Sequence, residues 1–443
     1  MKTVKIEQST CDFNAIGGLS LVGALLNKHR YTESFYSEAF GKTRTADYLN
    51  AYIGLVCTGH VEYEAIDRYR NNRPFGKILG LRKITSAESL RQNLDSLAKS
   101  PTTFDAVSEL QNTILQSVRI SPVQCDLGDY IPLDVDVTPF DNSGSKKEGV
   151  SCTYKMHDGY APIMAYLGTE GFLAGCELRE GKQHCQKDTP EFLRTTLNRA
   201  FSLIPLGKPI LLRMDGGNDA SANRKVIAEF KECYAIVKRN SRHEKKEEWL
   251  HRAQTLGTLV SDNGFCRHYR GFVTNFVANS STDDVPGDVV FDIYEAYAEE
   301  NGQMRSIPEI CVDTYWTNLP ESPETIIELY HDHATSEQFH SEIKSDLDAE
   351  RLPSGKFATN KLILQLIAVA YNMLRRIGSD IVSYCGTKVT RKKVKRRRIR
   401  TVLLDVVYTA FQWIEKGGRW IARFGRDCPL YTGLCALYAV YSR

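Results

Sequence analysis

Tyr330, His333, Glu337 and Lys344 are spaced three, four and seven residues apart within the stretch Glu328–Leu347. On a helix, at about 100° per residue, they project near 0°, −60°, −20° and −40°. An aromatic hydroxyl, an imidazole, a carboxylate and an ammonium then share one ridge about 60° wide. Three more acids stand out upstream. In IPLDVDVTPF, strict alternation turns Leu133, Val135 and Val137 to one side and Asp134, Asp136 and Thr138 to the other. Carboxylates on one face of a strand in apolar surroundings are costly unless paired or bound to a cation. Asp215 closes the strand of KPILLRMDGGND, directly before Gly216 and Gly217. The carboxyl end of a strand is where α/β sheets place ligand-binding groups; an Asx-turn is the competing role.

Asp136, Asp215 and Glu337 come from a strand, a strand tip and a helix, with separations of 79 and 122 residues. Three carboxylates without cysteine or multiple histidines form a hard-oxygen site, suited to Mg2+ or Mn2+ rather than zinc. Two such ions about 3.5–4 Å apart can activate a water or a 3′-hydroxyl and stabilise the leaving oxygen in an attack on phosphorus. The competing reading of the ridge is a solvated helix face.

The elements that must position these residues lie in a chain of 443 residues, 42% apolar and 25% charged. That is the profile of a soluble globular protein of several packed units. The start, MKTVKIEQST, has no apolar core after its lysines, so a secretory signal is not expected. The longest apolar run, Leu362 to Leu374, is broken by Gln365 and Asn372 and reads as a buried helix. Twelve cysteines without any C-x-x-C pair argue against a disulfide framework and a zinc knuckle. Nine Lys/Arg and no acid lie between Lys388 and Arg400; subtracting these nine from the total of +3 leaves −6 elsewhere. Such a local block points to a polyanion contact.

Residues from about 16 to 115 read as helical. Within them Thr85 and Glu88 have capping-box spacing, with Leu90, Leu94 and Leu97 following on one face. Arg82, Lys83, Arg91 and Gln92 surround the start of that helix, as in helix-turn-helix modules that enter a major groove. After the first strand, CTYKMHDGYAPIMAYLG and GFLAGCELREG read as two strands of a meander, and DTPEFLRTTLNRAFSLI as a helix. Residues 241–315 carry short aromatic and β-branched runs with Gly, Asp and Pro turns, a β-rich insertion. Trp316, at its end, reads as a core residue, with base stacking as the alternative. AFQWIEKGGRWIARFG reads as a hairpin around Gly417 and Gly418.

On LDVDVT, ILLRMDGGND and YWTNLPESPETIIELYHDHATSEQFHSEIKSDLDAERLPS, running into NKLILQLIAVAYNMLRR, the chain resembles the DDE transposases of bacterial insertion sequences, most closely insertion-sequence family 1380. Tyr330, Glu337 and Lys344 match the Tyr-x-x-Arg-x-x-x-Glu-x-x-x-x-x-x-Lys signature of that group, and His333 stands in place of its Arg. The resemblance implies an α/β fold: an RNase H-like mixed sheet flanked by helices, interrupted by a β-rich insertion, with a helical N-terminal DNA-binding region. The expected division is 1–127 for that region, 128–240 and 316–385 for the two parts of the core, 241–315 for the insertion and 386–443 for a basic C-terminal region. By the same resemblance Asp136, Asp215 and Glu337 bind two Mg2+ or Mn2+ ions, and Tyr330 and Lys344 touch phosphates of the cleaved end. Asp136 rather than Asp134 is then the catalytic acid of its strand. His333 is expected at the same phosphodiester, and Arg396, Arg397 and Arg398 of the basic block on the DNA backbone. The implied function is cut-and-paste transposition: binding terminal inverted repeats, cleavage and strand transfer into target DNA, by a homodimer in the bacterial cytoplasm, at the nucleoid and not at a membrane. A nuclease without strand transfer and an inactive DNA-binding relative are the rivals.

Overall fold

Alternation along residues 129–137 produces a strand with two unlike faces. A computed structural model of the chain describes residues 4–29, 35, 39–40, 43–241, 244–278, 285–297, 299–300, 303–304, 308–385 and 396–443. They divide into two compact units, one of residues 119–138 and 161–339, the other of residues 1–118, 139–160 and 340–443.

The first unit is built on one large mixed sheet. Its strands are β1 (Asp129–Val137), β2 (Ile163–Leu167), β3 (Phe172–Glu177), β4 (Ile210–Met214), β5 (Cys233–Lys238), β6 (Thr258–Asp262), β7 (Cys266–Phe276), β8 (Gly287–Ala296) and β9 (Glu309–Thr317). They run in the order β3-β2-β1-β4-β5-β9-β8-β7-β6, with the short strand Val123–Gln124 also paired to β1. Only β1, β4 and β5 run parallel to one another. Parallel neighbours need a crossover between them, and helices α1 (Thr189–Leu203) and α2 (Ser221–Ala228) supply two of these segments.

Helices cover both faces of this sheet. Ile131, Leu133, Val135 and Val137 of β1 and Ile210, Leu212 and Met214 of β4 join Phe192, Leu193 and Leu197 of α1 in one core. On the opposite face Tyr130 and Leu211 pack with Ile326, Ile327 and Leu329 of helix α4 (Pro323–His331). Each aliphatic side chain so buried contributes roughly 1.5–3 kcal/mol. With both faces covered, every residue of β4 is buried, which is why the strand reads ILLRM rather than alternating. Pro323 at the start of α4 and the Ser322 hydroxyl, which accepts from the Thr325 amide at 3.2 Å, fix where that helix begins.

The insertion is β-rich as expected, but it is not a separate module. After helix α3 (Lys246–Leu256), strands β6 to β9 extend the same sheet, because Thr317 of β9 pairs with Ile236 of β5 and with Asp288 of β8. A module folding apart would leave the β5 edge with unpaired peptide groups. The boundary expected at 315/316 therefore cuts through the hydrogen-bonded strand β9, whereas the one at 240/241 falls just beyond the end of β5.

The segment 328–347 also departs from one regular helix. α4 ends at His331, a 3₁₀ turn covers Asp332–Ala334, α5 spans Thr335–Ser341, and Glu342–Asp346 forms a π turn closed by Leu347 N–H to Glu342 O at 3.0 Å. Uniform 100° steps do not hold across these changes of winding.

The second unit is mainly helical. The helix Phe357–Cys385 packs against Pro101–Gln116, Thr45–Val56 and Tyr431–Tyr441. Over Phe357–Tyr384 that helix is long and apolar enough to raise the question of a membrane, but most of it is buried within the unit, and the run Leu362 to Leu374 is its buried centre. The cap of Ala87–Leu97 is Ser86, whose hydroxyl accepts from the Ser89 amide at 3.3 Å, not Thr85. Gly417 and Gly418, at φ of 58° and 70°, make the two-residue turn between strands Phe411–Lys416 and Arg419–Phe424, a backbone that side chains disfavour. Residues 151–160 do not join the meander. Ser151–Cys152 and Asp158–Tyr160 pair within a small sheet with Phe140–Asp141. Among the described cysteines all are free.

Candidate active site

β1 and β4 are adjacent and parallel, with Asp134 opposite Arg213 and Val135 opposite Met214. Asp136 and Asp215 are the next residue of each strand's run after that last pair, and the Asp136 charge acts on the Asp215 carboxyl. Period-two alternation puts both on the α4 side of the sheet, since Val135, Val137 and Met214 point into the other core. Asp136 Oδ1 accepts from the Val137 amide at 2.7 Å, and Asp215 Oδ1 accepts from the Asn218 amide group at 2.8 Å. Burial first, and then the Asp136 charge, push the Asp215 carboxyl above the usual carboxylate range. The two acids therefore repel, which is the condition a bound cation relieves.

Tyr330 belongs to the same group of side chains. Burial, then Asp215 and then Asp136, raise its phenol well above the ordinary value, so it stays a protonated donor. Its ring lies 4.6 Å from that of Tyr315 and 5.8 Å from that of His333, centre to centre. A cleft of 610 Å³ opens beside these residues, lined by Asp215, Gly216, Lys238, Arg239, Asp313 and Tyr330 among others.

His333 does not face outward. It is buried, and its Nδ1–H donates to Asp134 Oδ1 at 2.8 Å. The same carboxylate accepts from Arg213 Nε at 2.7 Å and Arg213 Nη2 at 2.8 Å, while Arg213 Nη1 donates to Leu329 O at 2.7 Å. Burial works to raise the Asp134 carboxyl, but Arg213 and His333 outweigh it and hold it below its usual value. The expectation that the imidazole meets the phosphodiester is thereby corrected: the ring is committed to a buried anion two residues before Asp136. Arg213 was not singled out in the sequence. Its signal was there, because a lone Arg inside ILLRM needs a buried anion opposite it.

The other expected residues fall in different surroundings. Glu337 is exposed in the first turn of α5. Among the described residues no three His, Cys, Asp or Glu side chains converge closely enough to hold a metal, so Glu337 does not join Asp136 and Asp215 in one cluster. Lys344 belongs to the helical unit, where its ammonium donates to Pro139 O at 2.8 Å and meets Glu350 at 2.9 Å. Trp316 is a core residue, 3% exposed, with its indole N–H on Asp219 at 2.9 Å.

The basic block turns largely inward where it is described. Arg396 meets Glu342 at 2.9 Å, the buried Arg397 meets Asp405 at 3.0 Å, and Arg398 grips Asp346 with two bonds of 2.8 and 3.0 Å. Arg396 and Arg397 thus have internal anions in place of the phosphates expected for them, and only Arg398 is half exposed. Residues 388–395 of the block lie outside the described residues.

Among solved structures, the chain is similar to a piggyBac transposase synaptic complex with hairpin DNA, at 9% identity and a TM-score of 0.40, covering 89% of this chain and 80% of that one. No curated protein matches the sequence. A family model described as "Transposase DDE domain group 1" matches residues 42–440. Because that match runs through nearly the whole length, with both strand-end acids inside it, the chain belongs to this family of DDE transposases.

Proposed function

We propose that this transposase binds the terminal inverted repeats of an insertion sequence and moves the element by cleavage and strand transfer, using two Mg2+ or Mn2+ ions held by Asp136, Asp215 and Glu337. As a DDE transposase it is a metal-dependent enzyme that cuts DNA. The observation that carries the finer reading is the Asp136–Asp215 pair, carried by adjacent parallel strands, in which the Asp136 charge disfavours the Asp215 carboxylate. An oxygen-only pair of this kind fits a hard divalent ion. Such ions supply charge for the attacking and leaving oxygens of an in-line displacement at phosphorus. Glu337, exposed on α5 and outside the cluster of the other two acids, is the third acid of this reading on the strength of the signature spacing alone.

The chain's own groups have assignable parts. Tyr330, kept protonated, donates a hydrogen bond to a phosphate oxygen. The Arg213–Asp134–His333 network holds α4 and the 3₁₀ turn against the strand that carries Asp136. The Tyr330, Glu337 and Lys344 spacing supports placement in the insertion-sequence 1380 group. Action on two ends implies a homodimer on double-stranded DNA, working at the nucleoid.

Titration with Mn2+ and cleavage of a labelled element end test this together. The wild-type melting temperature is expected to rise with the ion, and Asp136→Asn and Asp215→Asn to lose the rise. Both variants, and Glu337→Gln, should cleave about three decades more slowly, equivalent to roughly 4 kcal/mol of transition-state stabilisation. Glu337→Gln should still bind the end within a few-fold. Cleavage by Glu337→Gln at the wild-type rate in Mg2+ would remove it from the triad. A pre-cut end that is never joined to target DNA would leave a nuclease in place of a transposase.

A further inference from the structure

In the helical unit, residues between Asp67 and Ile84 enclose an open cleft of 1030 Å³. Five cations line it, Arg70, Arg73, Lys77, Arg82 and Lys83, all exposed, against the single acid Asp67. Glu415 of the terminal hairpin meets Arg73 at 3.0 Å, and Lys77 lies 4.8 Å from the centre of the Trp420 ring. Arg70 is 3.9 Å from Asp67. Five cations against these two carboxylates leave a local net charge of +3. Arg82 and Lys83 make no ion pair among the described residues.

The backbone that displays these charges is held in place. The Asn72 side chain accepts from the Phe75 amide at 3.0 Å to start helix Arg73–Ile78, Leu81 N–H donates to Gly76 O at 2.8 Å, and Arg82 N–H donates to Asp47 at 3.3 Å. Small-molecule sites are enclosed, mostly apolar and about 300–1,000 Å³. This cleft is open and cationic. A six-residue helix rises about 9 Å, and over that length one strand of B-form DNA carries two or three phosphates. Three of the five cations are arginines, whose fork matches phosphate oxygens.

We propose that this cleft is a docking groove for the sugar–phosphate backbone of duplex DNA, engaged without regard to base sequence. The proposal rests on the transposase reading above and adds a surface to it. Arg70, Arg82 and Lys83 carry the contact, since Arg73 and Lys77 are held by Glu415 and Trp420.

The test uses the full chain, a duplex of arbitrary sequence, and salt varied between about 50 and 300 mM. Replacing Arg70, Arg82 and Lys83 together by Gln should make the log affinity–log salt slope shallower by about 2–3 and weaken binding near 0.1 M salt by about 10²-fold. The charge-conserving pair Arg82→Lys and Lys83→Arg should keep the wild-type slope, which supports charge rather than shape as the cause. A wild-type slope in the triple variant, with its melting temperature unchanged, overturns the groove and leaves the transposase reading standing. A wild-type protein that binds no duplex overturns both. Saturation of the cleft by inorganic pyrophosphate without any effect on duplex binding assigns it to a small anion and overturns the groove alone.

Discussion

His333 shows how a residue's surroundings reassign its role. Where the signature it resembles has Arg, this chain has a ring that closes a buried triad with Asp134 and Arg213. A hydrogen bond to a charged group is worth about 1.5–3 kcal/mol, and Asp134 keeps its bidentate Arg213 when the imidazole is lost. His333→Ala is therefore expected to lower unfolding stability by about that amount in urea. Cleavage should fall as well, because the ring packs 5.8 Å from Tyr330. His333→Arg should be no less damaging, since it brings a second guanidinium into a site that already neutralises its anion. A His333→Arg variant as stable as wild type that also binds DNA more tightly would return the residue to the protein surface.

At the scale of elements, the π turn Glu342–Asp346 is a clamp. Glu342, buried, receives the fully buried Arg375 guanidinium as well as Arg396 at 2.9 Å. Asp346 receives Arg398 and the Arg400 amide, the latter at 3.1 Å. The end of the basic block is therefore structural. Breaking a buried pair by removing one partner costs about 3–5 kcal/mol, so Glu342→Gln should lower the unfolding free energy measured in urea by an amount of that order. Three free phosphate contacts would lower the salt slope of DNA binding by about 3. With two of the three guanidiniums internal, converting Arg396, Arg397 and Arg398 to Gln should lower it by about 1 at most. A drop of three units would show that these pairs open on DNA.

At the scale of the molecule, stability should depend on pH through His29. Its ring is buried in the helical unit, and Nε2 has no hydrogen-bond partner among the described residues. Burial, then Arg376 and Lys28, lower its pKa from 6.5 to about 4. The unfolded chain thus binds a proton that the folded chain refuses between those values. Stability from this residue is complete above pH 6.5 and is lost as pH falls towards about 4. The loss at pH 5 is about 1–2 kcal/mol. His29→Gln removes the titration. Urea midpoints at pH 7 and pH 5 should converge for this variant relative to wild type, and an equal drop in both proteins would clear His29 of the effect.

The sequence by itself determined whatever depends on near neighbours in the chain. Period-two alternation sorted Leu133, Val135 and Val137 from Asp134 and Asp136, because side-chain direction in a strand follows from geometry alone. Gly417–Gly418 announced its hairpin, since few other pairs accept two positive φ values. The acid at the end of ILLRM was legible as a ligand position for the same local reason. Tertiary structure decided the partners. Arg213 and His333 meet Asp134 across 79 and 199 residues, and Arg396 meets Glu342 across 54. A charge count cannot say which cations turn inward, because burial depends on which carboxylate lies opposite after folding. Ideal helical angles placed Tyr330, His333, Glu337 and Lys344 on one ridge, but the 3₁₀ and π turns between them are settled by packing and ion pairs that the local pattern does not contain.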